Sequence, residues 1–206
     1  VEHFVEADSA GLGGRIVSEG RTGMAWVGHL GDPAALDECI AEGFDPSRLR
    51  LVPWGVRPST IDEAAVDGVR RRLDLPERFV LWAGTVEPRK NLTALLDAVE
   101  RLDDPAALVL AGPAGWNEDL GARIEQVRRT GRIVRTLGFL PSDDLGAVYA
   151  AATVFCLPSV AEGLGLPVLE AMAQGTPVVT SRGTAAAEVV GEEGMLVDPH
   201  RPDEIR

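Results

Sequence analysis

The sequence predicts an α/β fold, a parallel β-sheet with helices on both of its faces. From Leu49 onward, short apolar runs alternate with amphipathic stretches, which is the pattern of βα units. Most of these apolar runs are continuous rather than alternating, as expected for strands that are buried on both faces. A length of 206 residues allows one large domain, or one complete domain with part of another.

Seven short apolar runs are the predicted strands of this sheet. Each is bounded by turn residues or by the start of an amphipathic stretch. The predicted strands are Leu49 to Val52, Phe79 to Ala83, Ala107 to Ala111, Ile133 to Leu137, Val154 to Leu157, Val178 to Thr180 and Met195 to Val197.

Two predicted helices have clear signals at their ends. The helix from Leu92 to Leu102 has an apolar face, and Asn91 is its predicted cap. A second helix starts after Asn117, with acidic residues first and basic residues last, which matches the helix dipole. Glu118 and Asp119 are in its first turn, and Arg128 and Arg129 are at its end. Its apolar stripe is Leu120, Ile124 and Val127, and Gly131 follows the helix.

Two further helices follow along the chain. Ser142 is the predicted cap of a helix whose buried side chains are Leu145, Val148 and Tyr149. Pro167 lies where the first turn of a helix accepts proline, and it opens a predicted helix over Leu166 to Gln174. Helices therefore accompany the predicted strand crossovers.

The first fifty residues give weaker signals. Glycines break this segment into short pieces, and only Met24 to Val27 is a strand candidate. The cluster from Gly11 to Gly14 is interpreted as a loop and not as a dinucleotide-binding fingerprint, because no strand precedes it and Ile16 occupies the place of the third glycine. The proline-rich bend from Pro53 to Pro58 is typical of a linker.

These patterns divide the chain into three parts. Residues 1–52 are expected to be the remnant of an N-terminal domain or an irregular segment, residues 53–58 a linker, and residues 59–206 the α/β domain. The chain starts without Met, and Pro202 to Arg206 reads as the first turn of a helix that has been cut. We therefore expect a fragment of a longer protein.

The composition is that of a globular protein and excludes several classes. The chain has 45% hydrophobic and 25% charged residues, and this composition excludes a disordered chain, a collagen and a small disulfide scaffold. The formal net charge of −12 would repel a polyphosphate, so an extended nucleic-acid interface is not expected.

Cysteine, histidine and hydropathy patterns add further limits. No C-x-x-C pair and no metal-ligand spacing occurs among Cys39, Cys156, His3, His29 and His200, and both cysteines are expected to be reduced and packed. No apolar run approaches the ~20 residues that cross a bilayer, and the first residues do not resemble a signal peptide. We expect a cytoplasmic protein whose membrane contact, if any, is peripheral at the inner face.

One loop combines a strand end with the chain's single lysine. Of the 20 basic residues all are arginine except Lys90, which lies beside Arg89 in the loop from Gly84 to Asn91. Free amides at a helix start favour anions, and a lysine adds a compact charge suited to phosphate. Cations at this end oppose the helix dipole unless an anion joins them, so the loop favours a diphosphate ligand over a solvated basic pair.

A second loop follows the predicted strand that ends at Leu157. Its glycines allow close approach of the backbone to a ligand, and the amides around Gly165 and Leu166 are expected to point outward. Glu162 in the loop and Glu170 on the helix are candidates to accept hydrogen bonds from sugar or ribose hydroxyls. Spacing alone favours a simpler interpretation, in which Glu162 is an exposed loop residue and Glu170 lies on a helix face, and neither binds a ligand.

The run from Glu162 to Val179, EGLGLPVLEAMAQGTPVV, is similar to the E-x7-E signature of retaining nucleotide-sugar glycosyltransferases of family 4. The GTVEPRKN loop resembles the phosphate loop of that family, and Leu137 to Leu140 resembles its base-binding turn. Leu49 to Val56 resembles the crossing into its second domain. The resemblance covers about residues 44–206 and implies the Rossmann-like, donor-binding half of a GT-B fold.

The resemblance implies transfer of a hexosyl group from a nucleoside diphosphate sugar to an acceptor hydroxyl with retention of configuration. The acceptor, which is a sugar, a lipid-linked sugar or a small metabolite, would be bound by the N-terminal half. Front-face attack would be assisted by the departing phosphate, through positioning and electrostatic stabilisation. The donor is a substrate and no cofactor is implied. Because no D-x-D occurs in the chain, we expect no obligatory metal.

The resemblance also implies a role for each matched residue. Lys90, with Arg89, would neutralise the diphosphate, Glu162 would face the donor sugar, and Glu170 would hold the ribose hydroxyls. The remaining implied contacts are Gly84 and Thr85 in the phosphate loop, the backbone amides of Gly163, Leu164, Gly165 and Leu166 toward sugar and phosphate, and Phe139 and Leu140 toward the base.

Three departures from the family pattern leave alternatives open. Thr85 stands where many members carry a phosphate-binding arginine, Leu164 replaces the commoner phenylalanine, and no catalytic histidine of an N-terminal domain is recognisable. One alternative is a nucleotide-binding or interaction module with the donor fold but no transferase activity of its own. Another GT-B enzyme, such as a sugar-nucleotide epimerase, fits the EGLGLPVLEAMAQG run less well.

Overall fold

The computed structural model describes residues 12–18, 21–27, 55–56, 61–115 and 120–206. Strands β1 (Leu12–Ser18) and β2 (Arg21–Val27) form an antiparallel hairpin in which Leu12 pairs with Val27. The predicted strand near Met24 is therefore confirmed and extended. The interpretation of the glycine cluster as a loop is wrong for residues 12–14, which belong to β1.

The second sheet has six parallel strands in the order β5-β4-β3-β6-β7-β8. The predicted parallel α/β sheet is thus confirmed, and four of its strands have the predicted bounds. The strands are β3 (Phe79–Ala83), β4 (Ala107–Ala111), β5 (Val134–Gly138), β6 (Val154–Leu157), β7 (Val178–Ser181) and β8 (Met195–Val197). Strand β5 begins and ends one residue later than predicted, and β7 ends one residue later than predicted.

Seven α-helices lie among the described residues. They are α1 (Glu63–Arg72), α2 (Leu92–Glu100), α3 (Leu120–Arg129), α4 (Ser142–Ala151), α5 (Leu166–Ala173), α6 (Ala185–Val190) and α7 (Pro202–Ile205). A short 3-10 helix, Pro88–Lys90, precedes α2.

The helices form two groups that cover opposite faces of the sheet. Helix α2 packs against α3 and α7, whereas α1, α4, α5 and α6 make a separate chain of contacts. This division follows from right-handed crossovers, because the chain moves from β3 toward β5 in one direction and from β6 toward β8 in the other. The reversal lies between β3 and β6, and their carboxyl ends are where an open α/β sheet binds ligands.

The core forms where the two helix layers meet the sheet. All five residues of β4 are buried, as expected of a central strand covered on both faces. Leu92, Leu95 and Val99 bury the predicted face of α2, and Leu120, Ile124 and Val127 do the same for α3. These burials confirm the predicted apolar stripes.

One predicted helix cap is in place and one is wrong. Asn91 occupies the predicted N-cap position of α2, but its side chain makes no capping bond, and its amide donates to carbonyls of other loops. Ser142 is the first helical residue of α4, and Pro141 holds the cap position. Helix α2 also ends at Glu100 rather than Leu102, and Ile133 lies outside β5 with 52% of its surface exposed.

Several sequence-based expectations fall outside the described residues. These include the strand at 49–52, the acidic start of α3 at residues 118 and 119, Cys39, His3 and His29. Of the predicted linker, only Gly55 and Val56 are described, and neither lies in a helix or strand. Among the helices that the structure describes, none has the length and apolar character needed to cross a membrane.

Candidate functional site

The two loops selected from the sequence meet at the reversal of strand order. Strands β3 and β6 are paired neighbours, with Leu81 opposite Phe155, so the loops that leave their carboxyl ends lie side by side. The amide of Val160 donates to the carbonyl of Arg89 at 2.8 Å. The Arg89 guanidinium donates to the carbonyl of Ala161 at 3.2 Å. These two bonds fix one loop against the other.

A buried ion pair lies between these loops. Nζ of Lys90 lies 2.5 Å from Oε1 of Glu162, and their side chains are only 7% and 5% exposed. The hydroxyl of Ser159 donates to the same Oε1 at 2.6 Å. Arg89 approaches Oε2 of Glu162 at 3.3 Å. Glu162 thus accepts from three side chains and is held in one position.

The anion beside the two cations of this loop is the carboxylate of Glu162. The interpretation of Lys90 and Arg89 as a solvated basic pair is wrong, since Lys90 is buried and neutralised by Glu162. Arg89 is the more accessible cation, with a side chain 41% exposed and an ion pair to Glu87 at 2.7 Å. The cationic loop therefore carries its own carboxylate before any ligand binds.

Asn91 ties three loops together and was not recognised as a site residue from the sequence. Its side-chain amide donates to the carbonyl of Pro158 at 3.0 Å and to that of Pro199 at 2.7 Å. Its φ of +55° is left-handed, a conformation that asparagine adopts more readily than most residues. The position before a helix suggested a cap, and no local signal pointed to carbonyls of distant loops.

The loop after β4 supports the loop after β3. The amides of Gly84 and Val86 donate to the carbonyls of Ala111 and Pro113 at 3.0 and 3.3 Å. A Cβ on Gly112 would lie 1.9 Å from the carbonyl oxygen of Gly84, so only glycine permits this approach. Gly84 and half-buried Thr85 follow β3 directly, where the sequence predicted them.

The second loop ends at the start of α5. Gly165 has a φ of +80°, and a Cβ there would lie 2.8 Å from Cβ of Ala186 on α6. The first intrahelical bonds are donated by Val168 and Leu169 to the carbonyl of Gly165. The amides from Gly163 to Leu166 precede these bonds, so the helix itself does not use them. This backbone arrangement suits an anionic or polar ligand.

Glu170 lies on the second turn of α5 and has a tyrosine partner. The hydroxyl of Tyr149 donates to Oε2 of Glu170 at 3.0 Å. Tyr149 is buried, and burial together with the charge of Glu170 raises the pKa of its phenol far above the ordinary range. The hydroxyl therefore stays protonated and acts as a donor. The sequence indicated Tyr149 only as a core residue.

The predicted base-binding residues lie further along the same edge of the sheet. Phe139 follows the carboxyl end of β5 and is 76% exposed, whereas Leu140 is half-buried against the core. Strand β5 is two positions from β3, a lateral distance of about 10 Å. The structure brings Arg89, Lys90 and Glu162 into contact and places Phe139 and Leu140 apart from them.

The described residues provide neither a metal-binding cluster nor a reactive thiol. No group of three or more His, Cys, Asp or Glu side chains that could hold a metal occurs within the described part of the chain. Cys156 is a buried free cysteine in β6, as predicted, and burial raises its pKa to about 12. Its thiol is therefore not a nucleophile at neutral pH.

Comparison with known proteins connects this geometry to a family. The family model described as glycosyl transferases group 1 matches residues 77–206. The O-antigen chain mannosyltransferase B of Escherichia coli is 46% identical over 132 residues, which are 62% of this chain and 34% of that protein. The D-inositol 3-phosphate glycosyltransferase of Salinispora tropica is 36% identical over 179 residues, 77% of this chain and 37% of that protein.

A solved structure shows the same fold. HepE from Anabaena, in a crystal structure with UDP and glucose, superposes with a TM-score of 0.70 at 25% identity over 84% of this chain and 49% of that one. The chain therefore spans about a third of the length of the two curated relatives and about half of HepE. The match confirms the Rossmann-like fold expected of a GT-B donor half.

Proposed function

The chain belongs to the glycosyl transferases group 1 family, and on this premise we propose that it forms the donor half of a retaining glycosyltransferase. Its substrate would be a nucleoside diphosphate hexose, and the reaction would move the hexosyl group to an acceptor hydroxyl. The observation that carries the proposal is the contact of Lys90, Arg89 and Glu162 at the reversal of strand order.

The diphosphate would bind beside the two cations. Arg89 is partly exposed and Lys90 lies behind it, so the incoming phosphates meet Arg89 first and share Lys90 with Glu162. The start of α2 adds a backbone dipole that favours an anion. Hydrogen bonds from Arg89, from Lys90 and from the amides at this helix start would stabilise the diphosphate, and we propose metal-independent transfer on that basis.

The two glutamates would bind the sugar and the ribose at opposite sides of the diphosphate. Glu162 follows β6 and would face the donor sugar, while Glu170 on α5 would accept from the ribose hydroxyls. The amides from Gly163 to Leu166 would donate to the sugar and phosphate oxygens. Exposed Phe139 would contact the base.

The relatives guide the choice of donor. HepE was solved with UDP and glucose, and the Escherichia coli relative is named a mannosyltransferase. Both names concern hexoses, which supports a hexosyl donor here. UDP, GDP and ADP are the nucleotides to compare, because no contact among the described residues distinguishes one base.

The chemical step would use leaving-group stabilisation. The bond between the anomeric carbon and the phosphate oxygen breaks, and its electron pair stays on the diphosphate beside Arg89 and Lys90. The acceptor oxygen attacks from the same face, and its proton passes to the departing phosphate, so the configuration is retained. Oriented charges of this kind stabilise a developing anion effectively in a water-poor site.

Binding measurements on variants test the site. Lys90→Ala and Glu170→Ala should each weaken nucleoside diphosphate binding by roughly 1.5–3 kcal/mol, the value of a charged hydrogen bond. Arg101→Ala is a matched control, because Arg101 follows the far end of α2 and its ion pair with Asp203 is exposed. Unchanged affinity in both site variants would exclude this assignment.

Tests of stereochemistry and metal dependence require a protein in which this chain is joined to an acceptor-binding half. Proton NMR of the first-formed product should show the anomeric configuration of the donor, with transfer undiminished by EDTA. An inverted product would contradict retention, and loss of activity in EDTA that magnesium restores would contradict metal independence.

A further inference from the structure

We propose that Tyr149 is a positioning residue for nucleotide binding, which holds the carboxylate of Glu170 toward the ribose through its phenol hydroxyl. The proposal rests on the function proposed above and adds a residue from outside the Glu162 to Glu170 motif. The contact that carries it is the hydrogen bond from the Tyr149 hydroxyl to Oε2 of Glu170 at 3.0 Å.

The phenol is fixed by the core and not by the site. Tyr149 lies in the last turn of α4 and is 1% exposed. Its ring meets that of Phe155 on β6 edge-on, with centroids 5.4 Å apart and planes at 73°. Its carbonyl accepts from the Thr176 hydroxyl at 2.7 Å. Glu170 is thus anchored to a rigid group on a different helix.

The bond from Tyr149 orders the Glu170 side chain before a ligand binds. Glu170 is half-buried on α5, and a free glutamate side chain loses up to roughly 2 kcal/mol of conformational entropy when a ligand fixes it. A bond formed before binding removes part of that cost. The expected result is tighter nucleotide binding from an already ordered carboxylate.

The chemistry of the donor also fits a positioning role. A phenol is neutral, so it orients the carboxylate without cancelling its charge, whereas Lys90 neutralises Glu162. A carboxylate has about four acceptor positions on two oxygens. One bond from Tyr149 therefore leaves capacity for a pair of ribose hydroxyls.

Calorimetric titration of Tyr149→Phe tests the proposal. The ring and its packing remain, and only the hydroxyl is lost. With whichever of UDP, GDP and ADP binds the wild-type chain, the affinity should fall roughly 3- to 10-fold. The 2′,3′-dideoxy form of the same nucleotide should bind both proteins equally, because it lacks the hydroxyls that Glu170 would hold.

Two controls separate positioning from a structural effect. Thr180→Val also removes a buried hydroxyl, one that donates to the Leu157 carbonyl at 2.9 Å, and should leave nucleotide affinity unchanged. In a Glu170→Ala background, Tyr149→Phe should cause no further loss, because the hydroxyl would act only through that carboxylate.

The outcomes distinguish this inference from the function on which it rests. If the wild-type chain binds none of the three nucleotides, the proposed function fails and the inference fails with it. If the wild type binds and Tyr149→Phe binds equally well, the inference alone is overturned. Equal losses for the ribo and dideoxy nucleotides, or additive losses in the double variant, would also overturn it.

Discussion

Nζ of Lys90 lies 2.5 Å from Oε1 of Glu162, and both side chains are almost completely buried. The two residues come from loops after neighbouring strands, so the pair joins the cationic loop to the start of the Glu162 to Glu170 motif. A buried charge that loses its partner is strongly destabilising, because the remaining charge keeps its desolvation cost. The site is therefore also a structural element of the fold.

Lys90→Met should lower the free energy of unfolding by about 3–5 kcal/mol, measured by urea denaturation. The variant keeps an apolar stem but removes the buried cation from Glu162, whose remaining partners are Ser159 and the partly exposed Arg89. Adding Glu162→Gln should recover part of this loss, because the orphaned charge is removed. If Lys90→Met alone is within about 1 kcal/mol of the wild type, the ion pair behaves like an exposed one, which would contradict its burial.

Substitutions of Asn91 separate hydrogen bonding from backbone conformation. Asn91→Gly loses the two bonds to the carbonyls of Pro158 and Pro199 and should cost about 1–3 kcal/mol. Asn91→Ala loses the same bonds and also pays for the left-handed φ, so it should be about 1 kcal/mol less stable than the glycine variant. An alanine variant as stable as the glycine variant would contradict this.

Gly165→Ala should destabilise the chain by about 1–3 kcal/mol, because the new Cβ would lie 2.8 Å from Cβ of Ala186 at a positive φ. Gly68→Ala is the matched control, since Gly68 lies inside α1 with no atom within 4 Å of its Cβ position. That variant should be about 0.5–1 kcal/mol more stable. Thermal unfolding of both proteins provides the comparison, and opposite signs are expected.

Tyr149 should make stability decrease at alkaline pH. The pKa of its phenol in the folded chain is raised above the ordinary 10.0. Below pH 10 the phenol is therefore protonated in both states, and its full contribution to the free energy of unfolding is present. Above that pH the unfolded chain loses a proton that the folded chain keeps, and stability should fall by about 1.4 kcal/mol per pH unit. Tyr149→Phe should lack this component.

The same tyrosine permits a direct optical test. It is the only tyrosine in the chain, so phenolate absorbance near 295 nm reports on it alone. The native protein should show no phenolate as the pH passes 10, and the signal should rise only with unfolding. A reversible titration near pH 10 in the folded protein would show that the phenol is not held as a buried donor.

The sheet could be predicted from the sequence because buried parallel strands are short, continuous apolar runs. The β1–β2 hairpin was recognised only in part, since the glycines of β1 resemble a loop. Asn91 occupies the predicted cap position, but its side-chain bonds could not be predicted, because local sequence cannot show that carbonyls 67 and 108 residues away accept from its amide.

Part of the candidate site could also be predicted from the sequence, and part could not. Arg89 and Lys90 could be selected because they follow an apolar strand, at the edge where ligands bind. Glu162 was selected only through the family resemblance, and the interpretation from spacing alone, that it is exposed, is wrong because it is buried against Lys90. The mutual contact of these residues could not be predicted, since 72 residues separate Lys90 from Glu162. Ser159 and Tyr149 carry no signal of their own and are identified only by the carboxylates that they contact.

Calorimetric titration of the wild-type chain with UDP, GDP and ADP, first in EDTA and then with magnesium, tests the central claim most directly. We predict that one nucleotide binds in EDTA and that magnesium leaves its affinity essentially unchanged. Failure of all three nucleotides to bind under both conditions would contradict a donor site built by this chain.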